Sequence, residues 1–385
     1  MVYVKIINIS GQLSDFTCII LALFALTAVI QLAYYLFVYL RVVLHDGKSI
    51  SKENAAPPVS VIVCARNEEA NLKLNLPSIL EQDYPLYEVI VVNDCSEDNT
   101  EQLLADFKQK YTHLRSTFIK KDGTFRNGKK FATTMGVKAA LHEWLLFTEA
   151  NYRPENTQWV KSMSQCFSDT KSIVLGYGGY FAQKGFLNKW IRYDACFVAL
   201  QYFGFAKMVK AYMGVGCNLA YRKSLFFANN GFAEHAHVLS NGDALLVNKA
   251  ATRQNVAVTY VKDAHTRAAA TRTFSDWLWQ KRQSNVVSKY FRSGQLFWLT
   301  LEPFSRVLMW VSFGLLMFFC PFWQYILLVF AIRTILFMTV IGLASKRFNE
   351  PGILQHALFF DLVMPFVYFY VFLFNRIFSK HNKWK

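Results

Sequence analysis

The stretch VSVIVCARNEE, residues 59–69, decides the fold. It opens with an apolar, β-branched run from Val59 to Ala65 and turns polar at Asn67 and Glu68. Such a run predicts a strand that is buried on both faces. The apolar residues of the next segment, NEEANLKLNLPSIL, have helical spacing, so a helix should follow the strand.

The same pattern returns in YEVIVVNDCSEDNT, residues 87–100, where Asp94 ends an apolar run and Asp and Ser residues suit a helix cap. LRSTFIKK and HEWLLFTEA supply two further strand candidates. Alternating strands and helices predict an α/β domain with a mostly parallel sheet flanked by helices. Ligands bind beyond the carboxyl ends of such strands, so Asn67, Glu68, Asp94 and Glu149 should meet in one crevice.

Both ends of the chain are apolar. Phe16 to Leu40 contains no charged residue and is long enough to cross a membrane as a helix. Residues 303–320 and 322–343 predict a membrane hairpin that turns at CPFWQ. A further segment, 354–374, contains a central proline and is predicted to be broken or re-entrant.

These features divide the chain into an N-terminal membrane region (1–44), a polar domain (45–295) and a C-terminal membrane region (296–385). Arg41, Lys48 and Lys52 follow the first span, whereas only Lys5 precedes it. Basic residues favour the inner side of a membrane, so the polar domain should be cytoplasmic and the protein should reside in the inner (plasma) membrane.

The net charge of +16 suits an anionic membrane surface and an anionic substrate. Nucleic acid is not the expected partner, because no nucleic-acid-binding motif is present. The seven cysteines form no C-x-x-C pair, which argues against a zinc site or a disulfide frame. No Walker motif and no G-x-G-x-x-G follows the first strand, which argues against a P-loop or dinucleotide site.

Five stretches occur in the order typical of the family 2 glycosyltransferases, which the chain resembles. They are VSVIVCARNEE, VIVVNDCSEDNT, NGKKFATTMGVKAA, GVGCNLAYRKSLF and WLWQKRQ. The resemblance implies the GT-A fold with transmembrane helices at both ends. It also implies transfer of a sugar from a nucleotide-sugar, in particular a UDP-sugar, to a lipid-linked or glycan acceptor in polysaccharide biosynthesis, in contact with membrane lipids.

In this family the acid that ends the second strand binds the uracil of the donor. That residue is Asp94 here, and the resemblance places Ala65, Asn67 and Glu68 beside it. A carboxylate suits this role because it accepts hydrogen bonds from ring and ribose donors. The alternative is that Asp94 only caps the helix that follows.

RNGKKFATTMGVKAA, residues 126–140, carries two adjacent lysines before a helix rich in small residues. Lys129 and Lys130 are predicted to face the diphosphate and offset its charge. Gly128 favours close approach of the backbone to a ligand. The alternative is a solvated basic turn.

TEANYRP, residues 148–154, stands where the family has a D-x-D turn that holds a divalent cation. Glu149 and Asn151 are the corresponding ligands for Mg²⁺ or Mn²⁺. Asn151 keeps an oxygen but loses a charge, so attraction for the cation is weaker. One alternative is a metal bound mainly by the phosphates of the nucleotide, as is common for Mg²⁺. The other is a strand end without a metal.

Inverting members of the family carry an acidic cluster whose carboxylate removes the proton of the acceptor hydroxyl. In LSNGDALLVN, residues 239–248, only Asp243 is acidic, and Asn241 is among the residues that stand where the acids would be. Asp243 is therefore the predicted base, although one sequence leaves its register open. Glu234 and His235 are the weaker candidates.

The Q-x-x-R-W motif is partly kept in WLWQKRQS, residues 277–284. Gln280 is present and Arg282 keeps the stretch basic, so both are predicted to contact the donor phosphates and the acceptor. Gln283 and Ser284 replace the arginine and tryptophan. The alternative is an amphipathic helix on the membrane surface, anchored by its tryptophans.

Two function classes follow. One is an active, inverting, membrane-bound glycosyltransferase; the other is a pseudoglycosyltransferase that keeps the fold and acts as a scaffold in a polysaccharide pathway. Three motifs altered at their chemical residues support the second, but the framework around them is intact, so we predict the active enzyme. A transporter built around Arg333 and Asp361 requires more spans; these two residues are expected to pair across two helices, with the alternative that Arg333 reaches toward the interface.

Overall fold

The computed structural model describes residues 15–45, 56–119, 128–208, 210–236, 238 and 242–377. Predictions that involve Lys5, Lys48, Lys52, Asn241 and the basic tail from residue 378 onward lie outside these residues. The described part of the chain contains two sheets. Their strands are β1 (Val59–Ala65), β2 (Tyr87–Asp94), β3 (Leu114–Ile119), β4 (Trp144–Glu149), β5 (Tyr152–Pro154), β6 (Ile173–Leu175), β7 (Gly178–Tyr180), β8 (Leu219–Arg222), β9 (Val256–Val258) and β10 (Thr266–Ala268).

The larger sheet has the order β3-β2-β1-β4-β8-β6-β9. The first four strands of the chain are parallel neighbours, which confirms the predicted parallel sheet, and β8 is antiparallel to both β4 and β6. Ala65 pairs with Asn93, and Cys64 pairs with Glu149. This register brings the carboxyl ends of β1, β2 and β4 to one edge.

The smaller sheet has the order β5-β10-β7. Strand β10 runs antiparallel to β5 and parallel to β7. Because β5 begins at Tyr152, directly after Asn151, the smaller sheet continues from the turn at the end of β4.

Helices cover both faces of the larger sheet. Val61 and Val63 belong to an apolar cluster with Leu76 on one face, and Ile62 belongs to a second cluster with Phe147 on the other. A strand buried on both faces needs the near-continuous apolar run that the sequence shows.

The α-helices are α1 (Asp15–Ala33), α2 (Leu40–Leu44), α3 (Glu69–Leu80), α4 (Thr100–Lys110), α5 (Lys129–Ala139), α6 (Trp159–Ser164), α7 (Phe186–Met208), α8 (Lys223–Ala228), α9 (Gly242–Ala250), α10 (Phe274–Asn285), α11 (Ser293–Phe319), α12 (Trp323–Arg347) and α13 (Ala357–Ile377).

Four helical segments are long and apolar enough to cross a membrane. They are Asp15–Leu44, Ser293–Phe319, Trp323–Arg347 and Leu354–Asn375. The first contains a π-helical turn, Tyr34–Tyr39, between α1 and α2. The predicted hairpin is present as α11 and α12, but α11 begins ten residues before residue 303.

The prediction that segment 354–374 is broken at its proline is wrong. Helix α13 continues without interruption through Pro365. A proline removes one backbone donor from a helix, and packing by neighbouring helices compensates for that loss. Met364 and Val371 of α13 are buried in this way.

The loop between α12 and α13 joins the membrane helices to the smaller sheet. Glu350 is fully buried in this loop and accepts hydrogen bonds from Arg192 Nε at 2.6 Å and Tyr177 Oη at 2.7 Å. Arg267 of β10 also forms an ion pair with Glu350. Arg267 also pairs with Glu155 at 2.8 Å, so two guanidinium groups are balanced by two carboxylates. These groups connect α7, β10 and the membrane region.

A second buried ionic cluster lies among the membrane helices. Arg333 Nη1 is 2.5 Å from Asp361 Oδ2, which confirms the predicted pair, and Arg333 also donates to Gln31 Oε1 at 2.8 Å. Arg306 lies 3.6 Å from Asp361 and pairs with Glu302. Two positive and two negative side chains thus balance inside the helical bundle, so mutual pairing accounts for them without a transported ion.

Replacing Asp361 with leucine should destabilise the protein strongly, because Arg333 then stays buried without its carboxylate. Breaking a buried ion pair costs about 3–5 kcal/mol. The melting temperature of the detergent-purified protein should fall clearly. The double variant Arg333→Leu/Asp361→Leu should recover part of the loss, and an unchanged melting temperature in the single variant would contradict the assignment.

Candidate functional site

Asn67 connects the loops that follow β1 and β2. Its backbone has a positive φ of 54°. Its backbone N–H donates to Ser96 Oγ at 2.9 Å, and its side-chain Oδ1 accepts from the backbone N–H of Glu97 at 2.7 Å. Asparagine tolerates this left-handed conformation better than most residues. The structure therefore gives Asn67 a positioning role: it fixes the two loops at the edge of the sheet.

Asp94 ends β2 at this edge and is 3% exposed. Its Oδ1 has no hydrogen-bond partner among the described residues. Burial raises the pKa of Asp94 above its ordinary value, and Arg66 opposes that rise. An unpaired buried acceptor is costly, so this atom suits a donor brought by a ligand.

Ala65 and Glu68 lie on the β1 side of the same edge. Ala65 is buried beside Asn93, and Glu68 accepts a 2.5 Å hydrogen bond from Asn71 Nδ2. Burial raises the pKa of Glu68, and the nearby charge of Glu149 raises it further. The residues predicted at the ends of β1, β2 and β4 therefore do converge.

Glu149, the last residue of β4, forms an ion pair with Lys129, the first residue of α5. Each side chain is about one-third exposed, at 32% and 29% respectively, so the pair faces the open edge. Burial alone would lower the pKa of Lys129, but the carboxylates of Glu149 and Asp243 raise it above its ordinary value. The lysine is therefore a charged ammonium at the end of β4.

Asp243 reaches the same place from the first turn of α9. It is 8% exposed, and its Oδ1 lacks a hydrogen-bond partner within the described chain. A Cβ atom added at Gly216 would lie 2.4 Å from Asp243 Oδ2 and 3.8 Å from Glu149 Oε1. Only a glycine leaves room here for the carboxylate of Asp243, whereas the distance to Glu149 is an ordinary van der Waals contact.

Burial raises the pKa of the Asp243 carboxyl group, Lys129 lowers it, and Glu149 raises it. A carboxylate in this environment is more basic than one in water. Asp243 therefore has the burial, the free oxygen and the basicity that a proton acceptor needs.

Lys130 does not lie where we predicted it. Its Nζ donates to the carbonyl oxygens of His235 and Val238, each at 2.7 Å. Burial lowers the pKa of Lys130 to about 8, against the opposing charge of Asp243. Carbonyl groups of the segment before α9 therefore occupy its donors, and Lys130 positions that segment.

The alternative base Glu234 points away from this group. It is exposed and forms a 2.7 Å ion pair with Lys249. His235, the other alternative, contributes its carbonyl oxygen to Lys130. Asp243 is thus the acid that the fold brings beside Lys129 and Glu149.

The residues present do not fit a divalent cation held by the protein. Glu149 already has an ammonium partner, Asn151 is exposed and uncharged, and no group of three or more His, Cys, Asp or Glu residues in the described ranges is arranged to bind a metal. Mg²⁺ and Mn²⁺ prefer several oxygen ligands with negative charge. The prediction of Glu149 and Asn151 as metal ligands lacks the donors that it requires.

Helix α10 packs between α7 and α13. Arg282 lies over the ring of Phe374, 3.5 Å from its centroid, and its carbonyl oxygen accepts from Asn375. Gln280 is exposed, whereas Trp277 is buried. Arg282 therefore contacts α13 in this structure, and its predicted contact with phosphate stays a prediction.

The sequence model of glycosyl transferase family 2 matches residues 60–227, from β1 to α8. This span contains Asp94, Lys129, Glu149 and Gly216. Residues 60–227 therefore carry a glycosyl transferase family 2 domain. The match ends before Asp243 and α10, so the sequence model says nothing of these residues.

Two curated relatives agree with the family. The chain is 27% identical over 185 residues to the probable glycosyltransferase YdaM of Bacillus subtilis, covering 47% of this chain and 44% of that protein. It is 30% identical over 101 residues to poly-β-1,6-N-acetyl-D-glucosamine synthase of Staphylococcus epidermidis, covering 26% of this chain and 23% of that one. The matches thus span less than half the length of either relative.

A solved structure shares the fold. The chain superposes on the mannosyltransferase PcManGT from Pyrobaculum calidifontis, solved in complex with GDP-Man and Mn²⁺, with a TM-score of 0.59 and 19% identity. The match covers 90% of this chain and 98% of that one. The predicted GT-A fold is confirmed.

Gly216 is the functional residue that the sequence reasoning missed. It belongs to GVGCN, a stretch that carries the family resemblance but received no role. Two glycines in five residues signal a close approach of the backbone to another group. The identity of that group, the carboxylate of Asp243, depends on a contact between distant segments.

Substituting Gly216 with alanine should abolish any turnover of a nucleotide-sugar at this site, because the new Cβ would collide with Asp243 Oδ2. The measurement is turnover of the full-length protein, with the melting temperature as a check on folding. Gly294→Ala is the matched control, since a Cβ there meets no atom within 4 Å. Equal loss of activity in both variants would contradict a local role for Gly216.

Proposed function

We propose that the chain transfers a sugar from a UDP-sugar to a glycan or lipid-linked acceptor at a membrane, with inversion at the anomeric carbon. The observation that carries this proposal is the buried, unpaired carboxylate of Asp243 beside the Lys129–Glu149 pair. The family 2 domain supplies the reaction type. The name of the staphylococcal relative, a polysaccharide synthase, supports a glycan product.

The reaction is a single displacement. Asp243 takes the proton of the acceptor hydroxyl while that oxygen forms a bond to the anomeric carbon. The bond from this carbon to the β-phosphate oxygen breaks, and its electron pair leaves with UDP. Asp243 suits this step because its burial favours the protonated form that the reaction produces.

The donor's uracil would bind at the ends of β1 and β2. Asp94 offers an unpaired acceptor to its ring N–H, and Glu68 lies beside the cleft to accept from the ribose. Asn67 keeps the two loops in place without contacting the ligand. PcManGT was solved with a nucleotide-sugar, GDP-Man, which supports a donor of this class.

We place the domain of residues 45–295 on the cytoplasmic side of the inner membrane, between the membrane regions 1–44 and 296–385. Four helices long enough to span and many exposed apolar side chains on them, such as Phe16, Phe318 and Tyr325, support contact with lipids. Glu350 joins these helices to the smaller sheet, so an acceptor held at the membrane would lie near the catalytic edge.

A scaffold without catalysis is the second candidate. Two observations favour it: the carboxylate of Glu149 is neutralised by Lys129, and Arg282 packs on Phe374. Such a protein would bind the nucleotide and release no product.

Asp243→Asn should lower the rate of UDP release from UDP-sugars by a factor on the order of 10²–10⁴, because a general base contributes about that much. Binding of UDP itself should persist, since the base contacts the acceptor. The measurement is UDP release by the detergent-purified full chain, with UDP affinity measured in parallel.

Asp263→Asn, at an exposed carboxylate, is the matched control and should leave the rate unchanged. Nucleotide binding by the unmodified protein with no turnover of any donor would overturn the enzyme and leave the scaffold. Full activity in Asp243→Asn would exclude Asp243 as the base.

Asp94→Asn should weaken UDP binding by about tenfold or more, because a hydrogen bond to a charged group contributes roughly 1.5–3 kcal/mol. Isothermal titration calorimetry with UDP checks this. Asp106→Asn, an exposed position on α4, should bind like the unmodified protein. Unchanged affinity in Asp94→Asn would show that the base of the nucleotide binds elsewhere.

A further inference from the structure

We propose that the ammonium group of Lys129 replaces the divalent cation in this enzyme: it holds Glu149 and binds the diphosphate of the donor, so nucleotide binding needs neither Mg²⁺ nor Mn²⁺. The inference rests on the proposed function and specifies how the same site handles phosphate. It starts from the finding that Glu149 and Asn151 do not provide the charged oxygen ligands that a divalent cation held by the protein would need.

The charges at the end of β4 leave little attraction for a cation. Glu149 and Lys129 form a neutral pair, and Asn151 brings an oxygen without charge. A cation that entered here would have to displace the ammonium group of Lys129, which already forms the ion pair with Glu149. An incoming divalent ion therefore competes with a positive charge that is already bound.

The geometry leaves Lys129 free to bind a phosphate as well. An ammonium group has three donors, and the ion pair with Glu149 uses one of them. The side chain remains 29% exposed at the open edge of the sheet. Glu149 holds the ammonium in one position, so less side-chain entropy is lost when the phosphate binds.

The backbone around Lys129 also suits an anion. Lys129 is the first residue of α5, where free backbone N–H groups and the helix dipole favour negative charge. A Cβ added at Gly128, just before it, would meet no atom of the described residues within 4 Å. Residues 120–127, which precede Gly128, are not among them.

In the transfer step, Lys129 would act on the leaving group. As the bond between the anomeric carbon and the β-phosphate oxygen breaks, the electron pair stays on that oxygen, and the ammonium offsets the added charge. The proton of the acceptor moves to Asp243, and no proton leaves Lys129.

The test is UDP binding to the detergent-purified full chain, measured by calorimetry in EDTA and in Mn²⁺. The unmodified protein should bind UDP equally in both. Lys129→Met should lose about tenfold or more of its affinity in EDTA, because a charge-assisted hydrogen bond is worth roughly 1.5–3 kcal/mol. Mn²⁺ should restore part of this loss, since Glu149 is then free to bind the ion.

Two further variants control for indirect effects. Lys138→Met removes an exposed lysine from the same helix and should bind like the unmodified protein. Lys129→Arg keeps the charge and should retain metal-independent binding. If Lys129→Met fails to fold, as judged by its melting temperature, Lys129→Gln is measured in its place.

A second readout uses Mn²⁺ alone, followed by electron paramagnetic resonance without nucleotide. The unmodified protein should show no tight Mn²⁺ site, and Lys129→Met should acquire one that Glu149→Gln removes. If UDP binds neither in EDTA nor in Mn²⁺, the proposed function is contradicted, but the Mn²⁺ measurement still tests the inference.

Two results would overturn the inference and leave the proposed function intact. One is UDP binding that requires Mn²⁺. The other is a tight Mn²⁺ site in the unmodified protein that the single substitution Glu149→Gln removes.

Discussion

The parallel register of β1 with its two neighbours is the constraint on which the rest of the site depends. Ala65 pairs with Asn93 and Cys64 pairs with Glu149, so three strands end at the same level. Every group assigned to the nucleotide follows one of these ends or begins the helix beside them. A shift of one residue in any strand would turn its terminal side chain to the other face of the sheet.

The second constraint joins this edge to the membrane helices. Glu350 lies between Arg192 and Arg267, and Arg267 belongs to the same small sheet as β5. Strand β5 begins just after the turn that carries Glu149 and Asn151. A displacement of α12 or α13 would therefore be transmitted to the catalytic edge through these buried ion pairs. The ion pairs are strong because the surrounding protein has a low dielectric constant.

Much of the fold was predictable because it is encoded locally. The apolar runs at residues 59–65 and 87–94 are buried strands, and their polar ends mark the site. The beginning of α11 was not predicted, because the predicted apolar span starts at residue 303, directly after the charged Glu302. In the structure Glu302 is neutralised by Arg306, one helical turn away. The helix through Pro365 was missed for a similar reason: its support comes from neighbouring helices.

The site was predictable in its position and less so in its chemistry. Residue type and place in the chain identified Asp94, Glu149 and Asp243 as the acids of the edge. They did not show that Lys129 pairs with Glu149 or that Lys130 turns to carbonyl oxygens, because these contacts join segments far apart in sequence. Only the folded chain reveals which of two adjacent lysines faces the ligand.

The central claim is that a nucleotide binds across this edge, with its base at Asp94 and its phosphates at Lys129. The most direct test is an experimental structure of the full chain in detergent with UDP and Mn²⁺ both present. We expect the uracil beside Asp94 and a β-phosphate oxygen within hydrogen-bonding distance of Lys129 Nζ. A nucleotide bound elsewhere, or a metal ion between Glu149 and the phosphates with Lys129 displaced, would contradict the account.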